Sequence, residues 1–174
     1  QDMASNSRLW GVELDSISAR ILKKLYPNAQ TFEGGFQDAN IKNNSMDLVI
    51  GNVPFAKEGV QDSRYPDFSL HNYFFARSVD ALKPGGLMVA ITSESTMDAP
   101  ISKEAREYIA ERADLVGAIR LPNTAFKENA QTEVTTDILV FRKKTGQHFK
   151  QASDFVDLVI VKTQDGFNKD RPVN

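Results

Sequence analysis

The stretch Asp47 to Lys57, DLVIGNVPFAK, places an amide, a proline and an aromatic ring where an apolar strand ends. Asn52 offers a side-chain carbonyl oxygen as an acceptor. Pro54 lacks a backbone N–H and biases Val53 toward an extended conformation, so the Val53 carbonyl can face outward as a second acceptor. Phe55 adds a flat ring. A planar ligand bearing an amino group could stack on Phe55 while its two N–H bonds point at Asn52 and at the Val53 carbonyl. Drawing both hydrogens favours a pyramidal nitrogen, aims its lone pair at an electrophile and stabilises the positive charge that develops during attack. The same residues also suit a plain turn, with Asn52 bonded to its own backbone and Phe55 filling the core.

Such a loop needs a scaffold, and the chain is long enough for one. With 174 residues, 41% hydrophobic and 25% charged, it can bury a core without disulfides. It contains no Cys, which excludes a disulfide framework and a thiolate metal site. No apolar run approaches the roughly 20 residues that span a bilayer. With no leader-like segment at the start, the cytoplasm is the expected compartment and no membrane partner is expected. A formal net charge of -2 means that contact with a polyanion would need a local basic patch. Arg142, Lys143 and Lys144 form the densest basic run, and their place at a strand end suits a solvated terminus.

Strand and helix patterns alternate. Leu9 to Leu14 reads as a strand, and Asp15 as the N-cap of a helix carrying Ile17, Ile21, Leu22 and Leu25 at helical spacing. Ala29 to Glu33 gives a second strand leading into Gly34 and Gly35. Asp47 to Ile50 is a third, apolar in the manner of a parallel strand covered on both faces. A helix follows from about Leu70 to Leu82, then a turn at Pro84-Gly85-Gly86 and a strand from Leu87 to Thr92. Ile101 to Ala113 is the next helix, with Ser102 as candidate cap, and Leu115 to Leu121 the next strand. Thr136 to Arg142 is reached without an intervening helix, which predicts an antiparallel pair. Its connection, Pro122 to Thr135, is far longer than a hairpin loop of about 2 to 5 residues, and loops of that length are commonly functional. This alternation predicts an α/β sheet with helices on both faces.

In such sheets ligands sit beyond the carboxyl ends of the strands, where Asn52 to Phe55 lies. GNVPF resembles the [D/N]-P-P-[Y/F/W] signature of amino-group DNA methyltransferases, with Val53 in place of the first proline. GVELD, Gly11 to Asp15, is similar to the end of the second strand in those enzymes, where Glu13 matches the acid that accepts hydrogen bonds from the ribose hydroxyls of S-adenosylmethionine. The better reading of Asp15 is a charge at a helix N-terminus. GGF, Gly34 to Phe36, looks like the segment lining the cofactor's adenine. Phe36 falls in that pocket, Gly35 stands where the family usually has a carboxylate, and Asp38 lies two places beyond Phe36. Two longer segments, SLHNYFFARSVDALKPGGLMVAITS and LPNTAF…TEVTTDIL, resemble the methyltransferase region of large bacterial and mobile-element proteins that join an adenine-specific DNA methylase to a helicase. The likeness runs from about Leu9 to Arg142. His71, within it, reads as a helix-surface or packing residue.

The resemblance implies a Rossmann-like class I S-adenosylmethionine-dependent methyltransferase sheet, incomplete at its N-terminal side. Residues 1 to 150 would form a partial catalytic core and 151 to 174 a C-terminal extension. Asn52, Val53, Pro54 and Phe55 would be catalytic, and Glu13, Gly35 and Phe36 would bind the cofactor. The implied cofactor is S-adenosylmethionine, and no metal is called for. Implied partners are DNA with a flipped adenine, a possible fused helicase domain, and an upstream segment of the same polypeptide. That segment would supply the glycine-rich turn and the central strand between the Leu9 and Asp47 strands. Arg64, Lys57 and Lys127 are candidate phosphate contacts. A glutamine amide or an RNA base would fit the same motif, as would a non-catalytic module of a restriction or anti-restriction protein.

Overall fold

Asp15 sits where an apolar strand gives way to helical spacing, and its side chain accepts a hydrogen bond from the Ser18 N–H at 2.7 Å. That bond holds its carboxyl below the ordinary aspartate pKa and starts α1 (Ser16–Leu25). The computed structural model describes residues 6–54, 59–122, 125, 135–146, 153–157, 159–161 and 171–173. They fall into two units, Gln1–Ile41 and Lys42–Asn174.

In the first unit α1 connects β1 (Trp10–Glu13) to β2 (Gln30–Glu33), and the two strands pair in parallel. The buried contact of α1 is small. Ala19 is 1% exposed, and Leu22 packs so closely on Gly11 that a β-carbon there would clash with it. The expected core-facing stripe is instead open, with Ile17, Ile21 and Leu25 59%, 52% and 68% exposed. Two strands offer too narrow a surface to cover the whole apolar face of a helix.

The second unit is built on four strands in the order β3-β4-β6-β5. These are β3 (Met46–Asn52), β4 (Leu82–Ser93), β5 (Ala113–Leu121) and β6 (Thr136–Lys143). β3 and β4 run parallel, while β6 lies antiparallel to both of its neighbours, which realises the antiparallel pair expected from the missing crossover helix. Side chains alternate across the pleat, so one face carries Met88, Ala90, Leu139 and Phe141. Phe75 and Val79 of α2 (Leu70–Ala81) and Ile109 of α4 (Lys103–Arg112) close over that face. Phe141 is its centre, meeting Phe75 edge-on at 5.8 Å and Phe155 at 5.3 Å.

The opposite face carries exposed apolar side chains among the described residues. Leu48, Ile50 and Ile119 are 50%, 71% and 59% exposed. Among the described residues α2 and α4 both pack on the Phe141 face. Among the described residues of the second unit β3 is the edge strand, with the apolar composition of a buried parallel strand.

Two local departures have physical causes. The Pro84-Gly85-Gly86 turn lies within β4 as an outpouching: Met46 pairs with Leu82, and two residues later Leu48 pairs with Leu87. Gly85 takes φ +80° there, and a β-carbon on Gly86 would sit 3.0 to 3.2 Å from the carbonyls of Lys83, Asp47 and Met46. Ser102 ends a 3-10 turn, Pro100–Ser102, and its hydroxyl donates to the Ser95 carbonyl instead of capping α4. Ser95 opens the short helix α3 (Ser95–Asp98). Beyond β6 lie α5 (Ser153–Val156) and β7 (Val159–Val161), the latter antiparallel to β8 (Arg171–Val173).

Phe155 and Val156 of α5 are both 2% exposed within the core. Arg106 ties that segment in. Its buried guanidinium donates to the carbonyls of Val156, Ala99 and Thr96 at 3.2, 2.9 and 3.2 Å, and burial pulls its pKa below the ordinary arginine value. Among the described residues no helix is long and apolar enough to cross a membrane, and no cluster of His, Asp and Glu could hold a metal.

Phe141→Ala should cost about 3–5 kcal/mol of unfolding free energy, because it empties the centre of the covered face. Ile101→Ala, at a side chain 91% exposed, should change it by no more than about 0.5 kcal/mol. Urea midpoints of the two variants measured side by side test the contrast.

Candidate functional site

Asn52 is the last residue of β3, paired in register with Ile91 of the neighbouring strand. Its side chain is exposed, and among the described residues it has no hydrogen-bond partner. Val53 follows with its N–H donating to the Ile91 carbonyl at 3.0 Å and its side chain 4% exposed in the core. A proline at this position could not donate that bond, so valine here fixes the backbone by pairing and burial instead of by a ring. Pro54 is exposed, and Phe55 lies outside the described residues.

The cofactor candidates come together at one end of the first unit. Glu13 closes β1 opposite Glu33, and its backbone carbonyl accepts from Gly34 N–H at 2.9 Å. The Glu13 carboxylate is oriented by Oε1, which accepts the Asp15 N–H at 2.9 Å; Oε2 has no hydrogen-bond partner among the described residues. Gly34 takes φ +151°, with the Phe32 ring 2.8 Å from where a β-carbon would stand. Gly35 and Phe36 continue the turn half-buried, and Asp38 N–H closes it on the Gly35 carbonyl at 3.0 Å. The Asp38 side chain is exposed and accepts from the Gln37 amide. An acidic strand end beside a glycine turn and a half-buried ring is a donor set suited to a ribose and an adenine.

Other candidates are tied up locally. Arg64 is ion-paired with Asp62 at 2.6 Å, which neutralises its charge, and Lys57 and Lys127 lie outside the described residues. Both ring nitrogens of His71 lie 3.4 Å from the Ser69 hydroxyl at the start of α2.

Two ionic constellations were not legible as site elements in the sequence. Arg120 donates in a fork to Asp137, Nε to Oδ1 at 2.8 Å and Nη2 to Oδ2 at 2.9 Å, and also meets Asp98 of α3 at 2.7 Å. Asp137 is 3% exposed, and its hydrogen bonds and charge raise the Arg120 pKa above its ordinary value. The clamp lies one pair inside Leu121 and Thr136, at the root of the 122–135 connection. Once those strands are paired in antiparallel register the two residues necessarily face each other, which is the signal that could have found them. The second constellation gathers on the segment after the motif. Asp62 accepts from the Arg64 side chain and from the Tyr73 phenol at 2.8 Å, and these partners, Arg64 first, hold its carboxyl well below the usual aspartate range. Nothing in the spacing of Asp62, Tyr65 and Asp80 announces their meeting.

Residues 2–126 match the model of the Eco57I restriction-modification methylase family. The chain belongs to that family. It is 30% identical over 162 residues to the defense against restriction protein B of Escherichia phage P1, an alignment covering 90% of this chain. The chain spans 7% of the length of that relative. Among solved structures it resembles the M protein of the type I restriction enzyme EcoKI, with TM-score 0.67 and 19% identity over 87% of this chain and 34% of the other. It also resembles a class I S-adenosylmethionine-dependent methyltransferase from Listeria monocytogenes, with TM-score 0.63 and 20% identity over 79% of this chain and 45% of that one. The fold is therefore that of the class I S-adenosylmethionine-dependent methyltransferases, and S-adenosylmethionine is the cofactor of this methylase family.

Asp62 makes a pH-dependent contribution. A carboxyl with a lowered folded pKa adds stability that is complete above its unfolded value of about 4 and fades as pH falls toward the folded value. The urea-midpoint difference between the native sequence and Asp62→Asn should stay flat from about pH 5 to pH 8 and shrink below about pH 4.

Proposed function

We propose that the parent protein transfers a methyl group from S-adenosylmethionine to the exocyclic N6 amino group of adenine in DNA, within a restriction-modification or anti-restriction system. The observation that carries this reading is the exposed Asn52 amide, without a hydrogen-bond partner among the described residues, at a strand end whose next residue is locked by pairing and burial. When bound, S-adenosylmethionine supplies an electrophilic methyl group. The Asn52 side-chain oxygen and the Val53 carbonyl accept the two amine hydrogens, and Phe55 stacks on the flipped base. Extruding a base costs a few kcal/mol and one aromatic stack returns about 1 to 3, so further DNA contacts are required. The connection from Pro122 to Thr135 is the candidate for them. Glu13 accepts the ribose hydroxyls, while Gly35 and Phe36 line the adenine of the cofactor.

Residues 1 to 150 act as the catalytic core in this reading, and residues 151 to 174 form an extension that braces it through Phe155 and Val156. An upstream segment of the same polypeptide supplies the glycine-rich turn. A fused helicase and a cytoplasmic setting complete the proposal.

The test is Asn52→Ala in the parent protein, assayed with adenine-containing DNA and S-adenosylmethionine and read as N6-methyladenine by mass spectrometry of the nucleosides. Losing one acceptor for the developing charge should lower turnover by about 100-fold or more. Full activity in that variant would leave the chain as an interaction module, and methylation of a glutamine amide or of RNA instead of DNA would reassign the substrate.

A further inference from the structure

The segment that follows the motif is held on the outside of two helices by polar bonds with no evident part in the sheet. Its neck is closed: Gly59 bridges Ser69, the residue preceding α2, in antiparallel fashion. The packing there is tight, since a β-carbon on Gly59 would stand 3.3 Å from both Asp67 Oδ1 and the Phe68 carbonyl. Between these ends the Tyr65 phenol donates to Asp80 Oδ2 at 3.0 Å, near the end of α2. Tyr108 of α4 donates to the same oxygen at 2.9 Å, and Arg112 Nε and Lys143 Nζ lie 3.6 and 3.8 Å from Asp80 Oδ1. The Tyr65 ring meets Tyr73 edge-on at 5.3 Å, and Phe68, 4% exposed, meets Tyr108 at 5.7 Å. Burial first, and then the Asp80 charge, push the Tyr65 phenol up to about 12, so it remains a donor across the neutral range.

The motif is fixed on its other side too. Val53 is bonded to β4 and buried, and only residues 55–58 separate Pro54 from the closed neck at Gly59. The upstream anchor is part of the sheet. The downstream anchor is the Gly59–Ser69 bridge together with side chains: Asp62 accepts from the Tyr73 phenol of α2, and Tyr65 reaches from the segment to the helix-borne Asp80.

We infer that Tyr65, bonded to Asp80, is a positioning residue: residues 59–69 form a strap that fixes the downstream end of the catalytic loop and so sets its turnover. The inference rests on the methyltransferase reading above. It separates Tyr65 from Tyr108, because both phenols serve one carboxylate oxygen but Tyr108 belongs to α4 and not to the strap. A misplacement near 1 Å can lower turnover by about 100-fold, so even partial loosening is measurable.

The experiment compares Tyr65→Phe and Tyr108→Phe in the full parent protein, since both keep the ring and remove one hydrogen bond from Asp80. Tyr65→Phe should lower kcat about 10-fold or more while KM for S-adenosylmethionine stays within about twofold, and Tyr108→Phe should leave both within about twofold. Amide hydrogen exchange across residues 59–69 should quicken about 10-fold in Tyr65→Phe alone. An unchanged kcat in Tyr65→Phe, an equal fall in Tyr108→Phe, or unaltered exchange would overturn the assignment. A native protein with no methyl transfer would count against the proposed function, and the exchange measurement would still decide whether the strap depends on Tyr65.

Discussion

A sheet must hide two faces, and the four strands of the second unit hide one. On the covered face, Phe141 with the rings of α2 and α5 around it gathers three parts of the chain far apart in sequence. On the other, apolar side chains of β3 and β5 stand in the open. The elements of the second unit around the Asn52 motif are organised by the covered side. Val53 turns inward to it, α2 carries the Asp80 that receives the strap, and α4 supplies the ring and guanidinium beside that carboxylate.

The replacement of the first proline of the motif by valine is instructive in this light. A proline stiffens a loop through its own ring wherever it stands. Valine stiffens it only where there is a neighbouring strand to accept its N–H and a core to take its side chain, and β4 and the α2 face provide both. The outcome for Asn52 is the same: a backbone that stays put beneath an amide with no competing bond among the described residues.

Much of the fold could be read from the sequence, because it rests on local signals. Asp15 before an apolar period is a cap, and strand-length apolar runs broken by Gly and Pro are strands. The absence of a helix between Leu121 and Thr136 announces an antiparallel pair. What could not be read depends on neighbours. Leu48 and Ile50 carry the composition of a strand buried on both sides, and nothing in those letters says that one side lacks cover. Ser102 has the letter of a cap, yet a carbonyl of α3 lies closer to its hydroxyl. The site divides in the same way. The residues of the motif are contiguous and were visible, whereas Asp62, Tyr65, Asp80, Arg120 and Asp137 acquire roles only after distant segments meet.

The Arg120 clamp closes β5 on β6 just before the residues between Leu121 and Thr136 begin. Because the fork to Asp137 and the contact to Asp98 close the strands before the fourteen intervening residues begin, the sheet senses their length mainly through closure entropy. That term grows by only about 0.6 kcal/mol for each doubling. A change in the number of residues between Leu121 and Thr136 therefore costs the paired strands little.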